Sequence, residues 1–241
     1  MLNQELKKTA LNIHEKAKNR YNETYETTIK LCQALYDERK ESVVLIRSIE
    51  TMVSSIANRP KDFDVTLEQI HTERKNFRDT EEYAEKAQSE TVKSGVGGAV
   101  GLGAGAAVAA LGPSAAMWVA TTFGTASTGT AISALSGAVA VTGLAVGIRN
   151  KKIADQAMEE AKKITVAAAL LKETSAKVDD LREKTMILRD ALQAMYKNDT
   201  QYLNADYAAL DSSDKLALGT LVNNTLSLAE MLNKVVEGSD N

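Results

Sequence analysis

Apolar residues recur at helical spacing over most of the chain. Ala10, Ala17, Thr24, Leu31, Leu45 and Met52 keep heptad spacing, and Tyr21, Thr28, Leu35, Ile49 and Ile56 form a companion row. This pattern predicts one long amphipathic helix ending near Asn58-Arg59-Pro60. A proline disfavours helical geometry in the residue before it and has no backbone N–H to donate. Asp64 is the expected cap of a second helix that carries Leu67, Ile70, Phe77 and Ala84 inward and runs to Lys93. Further on, Ile153, Ala157, Ile164, Leu171, Val178, Leu181, Leu188, Leu192 and Met195 repeat the spacing in a long helix read as the antiparallel mate of the first. A break is expected at Lys197-Asn198-Asp199-Thr200. Beyond it, Ser212-Ser213-Asp214 is read as the cap of a last helix with Leu218, Leu221, Thr225, Leu228, Leu232 and Val235 on one face. No alternating strand segments bounded by hairpin turns are present, so the class is all-α.

Between these helices the pattern changes. Residues 94–148 contain no Asp, Glu, Lys, Arg or His, yet they hold twelve of the fourteen glycines and the only tryptophan, Trp118. About 20 helical residues cross a hydrocarbon layer, so the window can hold two crossings or three shorter ones. Gly112-Pro113 makes the corner between a first span over 95–111 and a second within 114–148. The organisation read from the sequence is therefore an N-terminal helical arm (1–93, broken near 58–64), a glycine-rich transmembrane hairpin (94–148), a second arm (149–198) and an acidic C-terminal helical segment (199–241). Long antiparallel, coiled-coil-like arms flank the hairpin.

Charge fixes the expected orientation. Lys93 precedes the window, and Arg149, Lys151 and Lys152 follow it. If the arms pair with each other, both flanks face one side, which the positive-inside rule makes the cytoplasm, with an even number of crossings of the inner membrane and both termini cytoplasmic; three crossings would separate the arms. The start, Met1-Leu-Asn-Gln-Glu-Leu-Lys-Lys, lacks the apolar run of a secretory signal. Cys32 is the sole cysteine, which leaves no intramolecular disulfide and suits a reducing compartment.

Two rows of small residues recur every four positions: Gly97, Gly101, Gly105 with Ala109, and Thr121, Thr125, Gly129, Ser133 with Gly137. Small residues let membrane helices approach closely and gain dispersion contacts, so both rows are candidate helix-contact faces and the protein is expected to be a homo-oligomer in lipid. The second row is also rich in hydroxyls, with eight Ser and Thr between Thr121 and Ser136. Arranged around an axis, such residues can line a narrow uncharged pathway.

Enzyme signatures fail. Gly101-Leu-Gly103-Ala-Gly105-Ala106 fits a dinucleotide pattern, but it follows a charged helix rather than a strand, and the next acidic residue is Asp155. No Gly-Lys-Ser/Thr phosphate loop exists, and His14 and His71 lie on separate helices, so neither a cofactor nor a metal is expected. Among the soluble residues, Arg74, Lys75, Phe77 and Arg78 combine bases with an aromatic on adjacent turns, a candidate site for holding phosphates and stacking a base. Arg39, Lys40 and Arg59 are other bases that can equally well face solvent.

The stretch Pro113-Ser-Ala-Ala-Met-Trp-Val-Ala-Thr-Thr-Phe-Gly-Thr-Ala-Ser-Thr-Gly-Thr-Ala-Ile-Ser-Ala-Leu-Ser-Gly137 resembles a membrane module of bacterial proteins. Within that group it is most similar to the channel-forming effectors of anti-phage defence operons, the Hailong type. The resemblance implies an oligomeric inner-membrane channel held shut by a single-stranded DNA oligomer, which a partner nucleotidyltransferase makes; opening arrests the infected cell. Two other readings fit long helices around one apolar hairpin: a secreted α-helical pore-forming toxin, and a membrane-anchored coiled-coil scaffold.

Overall fold

The computed structural model describes residues 3–93 and 143–236. Within them the chain is helical: α1 Gln4–Ser55, α2 Lys61–Lys93, α3 Gly143–Asp199 and α4 Ser212–Asn233, with single 3-10 turns at Thr200–Tyr202 and Tyr207–Ala209. No helix among the described residues is long and apolar enough to cross a membrane. Most of the glycine-rich window, 94–142, lies outside the described residues, while 143–148 form the first turns of α3.

Helix ends follow local chemistry. Beyond α1, Arg59 Nη1 donates to the carbonyls of Ser54 (2.8 Å) and Ile56 (3.2 Å), satisfying acceptors that lack intrahelical partners. Asn58 turns the chain with φ of 53°, a left-handed conformation that asparagine tolerates. Asp64 is not the cap of α2. The helix starts at Lys61, with the Phe63 amide on the Pro60 carbonyl at 3.0 Å, and Asp64 sits in the first turn accepting from Arg59 Nε at 2.7 Å. The cap of α4 is Asp211, whose carboxylate accepts from the Asp214 amide at 2.9 Å; the Ser212-Ser213-Asp214 stretch is already helical. Because α4 stops at Asn233, Val235 lies beyond the apolar face and is exposed, whereas Val236 is buried.

Two interleaved heptad rows are buried from Tyr21 onward along α1, the first ending just beyond it: Tyr21, Thr28, Leu35, Ser42, Ile49, Ile56, and Tyr25, Cys32, Arg39, Ile46, Val53. The second row escaped the hydrophobic pattern because Cys32 and Arg39 interrupt it. In α3 one row reads Ala157, Ile164, Leu171, Val178, Thr185, Leu192, Asp199, and every member is buried.

The chain divides into two compact units, Met1–Lys30 with Ala116–Ala176, and Leu31–Ala115 with Lys177–Asn241. In the first, Asn3 Nδ2 donates to the Gly147 carbonyl at 3.2 Å, His14 Nε2 meets Glu160 at 3.2 Å, and Thr28 Oγ1 lies 3.0 Å from Ser175 Oγ. Partners rise together along both helices, so α1 and α3 run parallel. One cluster here is small, Ala10, Ala154 and Ala157 with Leu11 against it, and farther along the same unit Tyr21, Tyr25, Ile164 and Leu171 are buried.

The second unit holds the larger core, in which Ile46, Ile49, Ile70, Phe77, Leu192 and Leu221 are fully or nearly fully buried. Here too α1 and α3 are parallel: Arg189 pairs with Glu38 (3.0 Å), and the Asn204 amide donates to Ser55 Oγ (2.9 Å). The loops beyond their ends pair at Ala57 and Asp206, with the Ala57 amide on the Ala205 carbonyl (2.8 Å) and the Tyr207 amide on the Ala57 carbonyl (2.9 Å). Helix α2 is antiparallel to α1, as Arg74–Glu50 (2.8 Å) and Tyr36–Glu81 (3.1 Å) show, and α4 packs along α2, where Asn233 Nδ2 reaches Glu73 Oε2 at 2.6 Å.

The expected antiparallel pairing of the two long arms is thus corrected. The turn at 56–60 sends α2 back along α1 before the glycine-rich segment begins, so the chain enters α3 from the end where α1 started. Antiparallel neighbours are instead helices adjacent in sequence. Replacing Cys32 by alanine and introducing Thr28→Cys with Ser175→Cys tests this register. Oxidation should give an intramolecular crosslink, visible as a mobility shift on denaturing gels, because the two hydroxyls are already in contact; antiparallel arms would give none.

Candidate functional site: buried charges in the larger unit

The eight small-residue positions proposed to pack helices or line a pathway, Gly97, Gly101, Gly105, Thr121, Thr125, Gly129, Ser133 and Gly137, lie outside the described residues. The candidate phosphate site on α2 is described, and it does not assemble as expected. Phe77 is buried in the core with its ring 6.3 Å from Tyr36, so it has no face to offer a base. Arg74 turns inward onto Glu50, both side chains largely covered. Lys75 and Arg78 stay exposed, and Arg78 stands 4.0 Å from Asp79 and Glu82. One helical face cannot present all four, because the apolar stripe of α2 passes through Phe77.

Buried charge collects elsewhere, at places the hydrophobic pattern did not show. Arg39 is 2% exposed, and its Nη2 donates to the Lys234 carbonyl at 2.6 Å. It therefore closes the C-terminal end of α4, where unpaired carbonyls concentrate partial negative charge. Burial lowers the guanidinium pKa to about 10, with Cys32 opposing the shift, so Arg39 remains cationic at neutral pH. Burial pushes the Cys32 thiol up to about 12, against the pull of Arg39. Cys32 is a protonated core residue at neutral pH, without the thiolate a nucleophile needs. Buried hydroxyls beside these groups bond back to the preceding turn: Ser42 to Glu38, Thr185 to Leu181 and Thr225 to Leu221.

A second group joins α1 to α3. Arg189 lies 3.0 Å from Glu38 and 3.0 Å from Asp190, and it also bonds Glu41. Burial raises the Glu38 carboxyl, with Arg189 opposing the rise. For Arg189 burial works against the charge, but the bond to Asp190 and the carboxylates of Glu38, Asp190 and Glu41 leave it raised. Glu41 and Asp190 are exposed, so their attraction to Arg189 is screened by solvent, and Glu38 is the more covered partner. Their chemical role here is alignment: they fix which turn of α1 meets which turn of α3.

A third group lies where α3 gives way to α4. Tyr202 Oη donates to Asp214 Oδ1 at 2.5 Å, and Asp199 is 6% exposed at the end of α3. Burial first and Asp214 second raise the Asp199 carboxyl. The sequence marked Asp199 only as part of a break; its place in the heptad row Val178, Thr185, Leu192 was the signal available.

Among the described residues no three of His, Cys, Asp and Glu are gathered where a metal ion could be held. His14 faces Glu160, and His71 Nδ1 stands 3.4 Å from Arg74 Nη2. The groups around Arg39 and Arg189 align helices. Because Asp199 holds its proton more tightly folded than unfolded, its share of stability is present at low pH and lost as pH rises through its folded value. Asp199→Asn should therefore raise the thermal midpoint at pH 7 and leave it unchanged near pH 3 relative to wild type, measured by circular dichroism. Comparison with known protein families, functionally described proteins and solved structures finds no match for this chain.

Proposed function

We propose that the protein is an oligomeric channel of the bacterial inner membrane, with residues 94–148 as its membrane module and the helical domain as its cytoplasmic gate. The observation that carries this reading is the window itself, in which no charged residue occurs while both neighbouring helices carry charge every few positions. A soluble core helix of this length would keep a polar face toward water. The glycine, threonine and serine rows supply close helix contact across subunits and an uncharged lining.

The ion-paired helical bundle supports the gating role. Covered charges at Arg189, Glu38, Arg74 and Glu50 disfavour gradual sliding, so helix rearrangement is between discrete states, and a ligand that binds one of them better can bias the attached module. On the resemblance of residues 113–137, that ligand is a single-stranded DNA oligomer made by an operon-encoded nucleotidyltransferase, and the process served is arrest of phage-infected cells. Arg74 and Phe77 are too enclosed to be its contacts as placed here. Reconstituted protein should conduct ions in a vesicle flux assay. Gly129→Leu and Gly137→Leu should abolish flux while the chain remains in the vesicle fraction. Normal conduction by both variants would remove the second small-residue row from the pathway.

A further inference from the structure

Resting on the membrane reading, we infer that the paired starts of α1 and α3 form a collar that seats on anionic lipid headgroups. The Asn3–Gly147 hydrogen bond brings the first residues of the chain beside the exit of the glycine-rich window, 144 positions away in sequence. The two helices run parallel from that bond, so equal steps along them reach equal heights. Lys7 and Lys8 lie four and five residues beyond Asn3, and Lys151 and Lys152 lie four and five residues beyond Gly147. At 1.5 Å per residue all four lysines fall about 6–8 Å from the bond, on one level.

Apolar side chains occupy the level closer to the window. Leu6 is 47% exposed and Ile148 is 66% exposed, three and one residues from the bonded pair. Large apolar groups followed outward by a ring of lysines is the order in which a bilayer presents its acyl boundary and its headgroups. Arg149 adds a fifth base at this end, and the acids there are Glu5 and Asp155.

The charge balance is sorted in the same direction. The described residues of the first unit, 3–30 and 143–176, hold twelve Lys and Arg against eight Asp and Glu, whereas 31–93 and 177–236 hold seventeen against twenty-two. A positive end adjoining an uncharged membrane segment, with the acidic excess farther along the helices, suits a negative bilayer surface. A nucleic acid would also answer to the lysines, but it would gain nothing from Leu6 and Ile148.

The test uses the full chain with vesicles of phosphatidylcholine alone or mixed with phosphatidylglycerol, and follows flotation and resistance to alkaline carbonate. Wild type should favour the anionic vesicles. The variant carrying Lys7→Gln, Lys8→Gln, Lys151→Gln and Lys152→Gln should lose up to roughly 600-fold of that preference, since each base near the surface contributes about fivefold. Its carbonate-resistant fraction should be unchanged, and lysine-to-arginine replacements should keep the preference. Equal partition of wild type into both vesicles, or an unchanged preference in the glutamine variant, overturns the collar while leaving membrane insertion standing. Failure to associate with either vesicle overturns both. An oligonucleotide bound by wild type and lost by the variant, with no lipid preference, assigns the lysines to nucleic acid and also overturns the collar.

Discussion

Two hydroxyls buried between helices, Thr28 Oγ1 and Ser175 Oγ 3.0 Å apart, mark the constraint on which the architecture depends: α1 and α3 run in the same direction. Parallel long helices cannot be joined by a tight turn, so something must carry the chain back between them. Helix α2 makes that return, pinned to α1 by Arg74–Glu50 and Tyr36–Glu81. The glycine-rich window is then the segment that leads into α3 at the end where α1 began. The start of the chain and the exit of the window meet because of it, and the hydrogen bond from Asn3 to Gly147 is the direct mark of that meeting.

Burial is unevenly spread along this pair. In the smaller unit an alanine cluster at Ala10, Ala154 and Ala157 gives way to buried Tyr21, Ile164 and Leu171; in the larger unit Ile46, Ile49, Phe77 and Leu192 fill a four-helix core. Register in that core is set less by apolar fit than by a few covered polar groups. Arg189 reaches Glu38 on the neighbouring helix, and Arg39 closes the end of α4 through the Lys234 carbonyl. Apolar stripes tolerate sliding by a turn, whereas a displaced arginine would leave a covered charge unpaired. Bundles held this way have few alternative arrangements.

Much of the helical content was legible, because repeats of three and four residues survive any tertiary context that buries one face. The α3 row from Ala157 to Leu192 and the α4 row from Leu218 to Leu232 were read directly from apolar spacing. Direction was not legible: a heptad row has the same spacing read either way, and parallel or antiparallel pairing is decided by tertiary contacts such as Thr28–Ser175. Arg39 and Cys32 were missed because a cation and a thiol break an apolar row without breaking its geometry. Phe77 was read both as an inward residue of α2, beside Leu67 and Ile70, and as a base-stacking group; its burial agrees with the first reading. The glycine-rich rows carry a strong compositional signal, and the positions read from them lie outside the described residues.

The account turns on whether both flanks of the uncharged window stand on one side of a membrane. With Cys32 replaced by alanine, single cysteines at Lys93 and Lys151 can be labelled in intact spheroplasts and in opened membranes with an impermeant maleimide. Both positions should stay unlabelled in spheroplasts and react once the membrane is opened, as an even number of crossings with cytoplasmic flanks requires. Labelling of one position from outside and the other only from inside would contradict it.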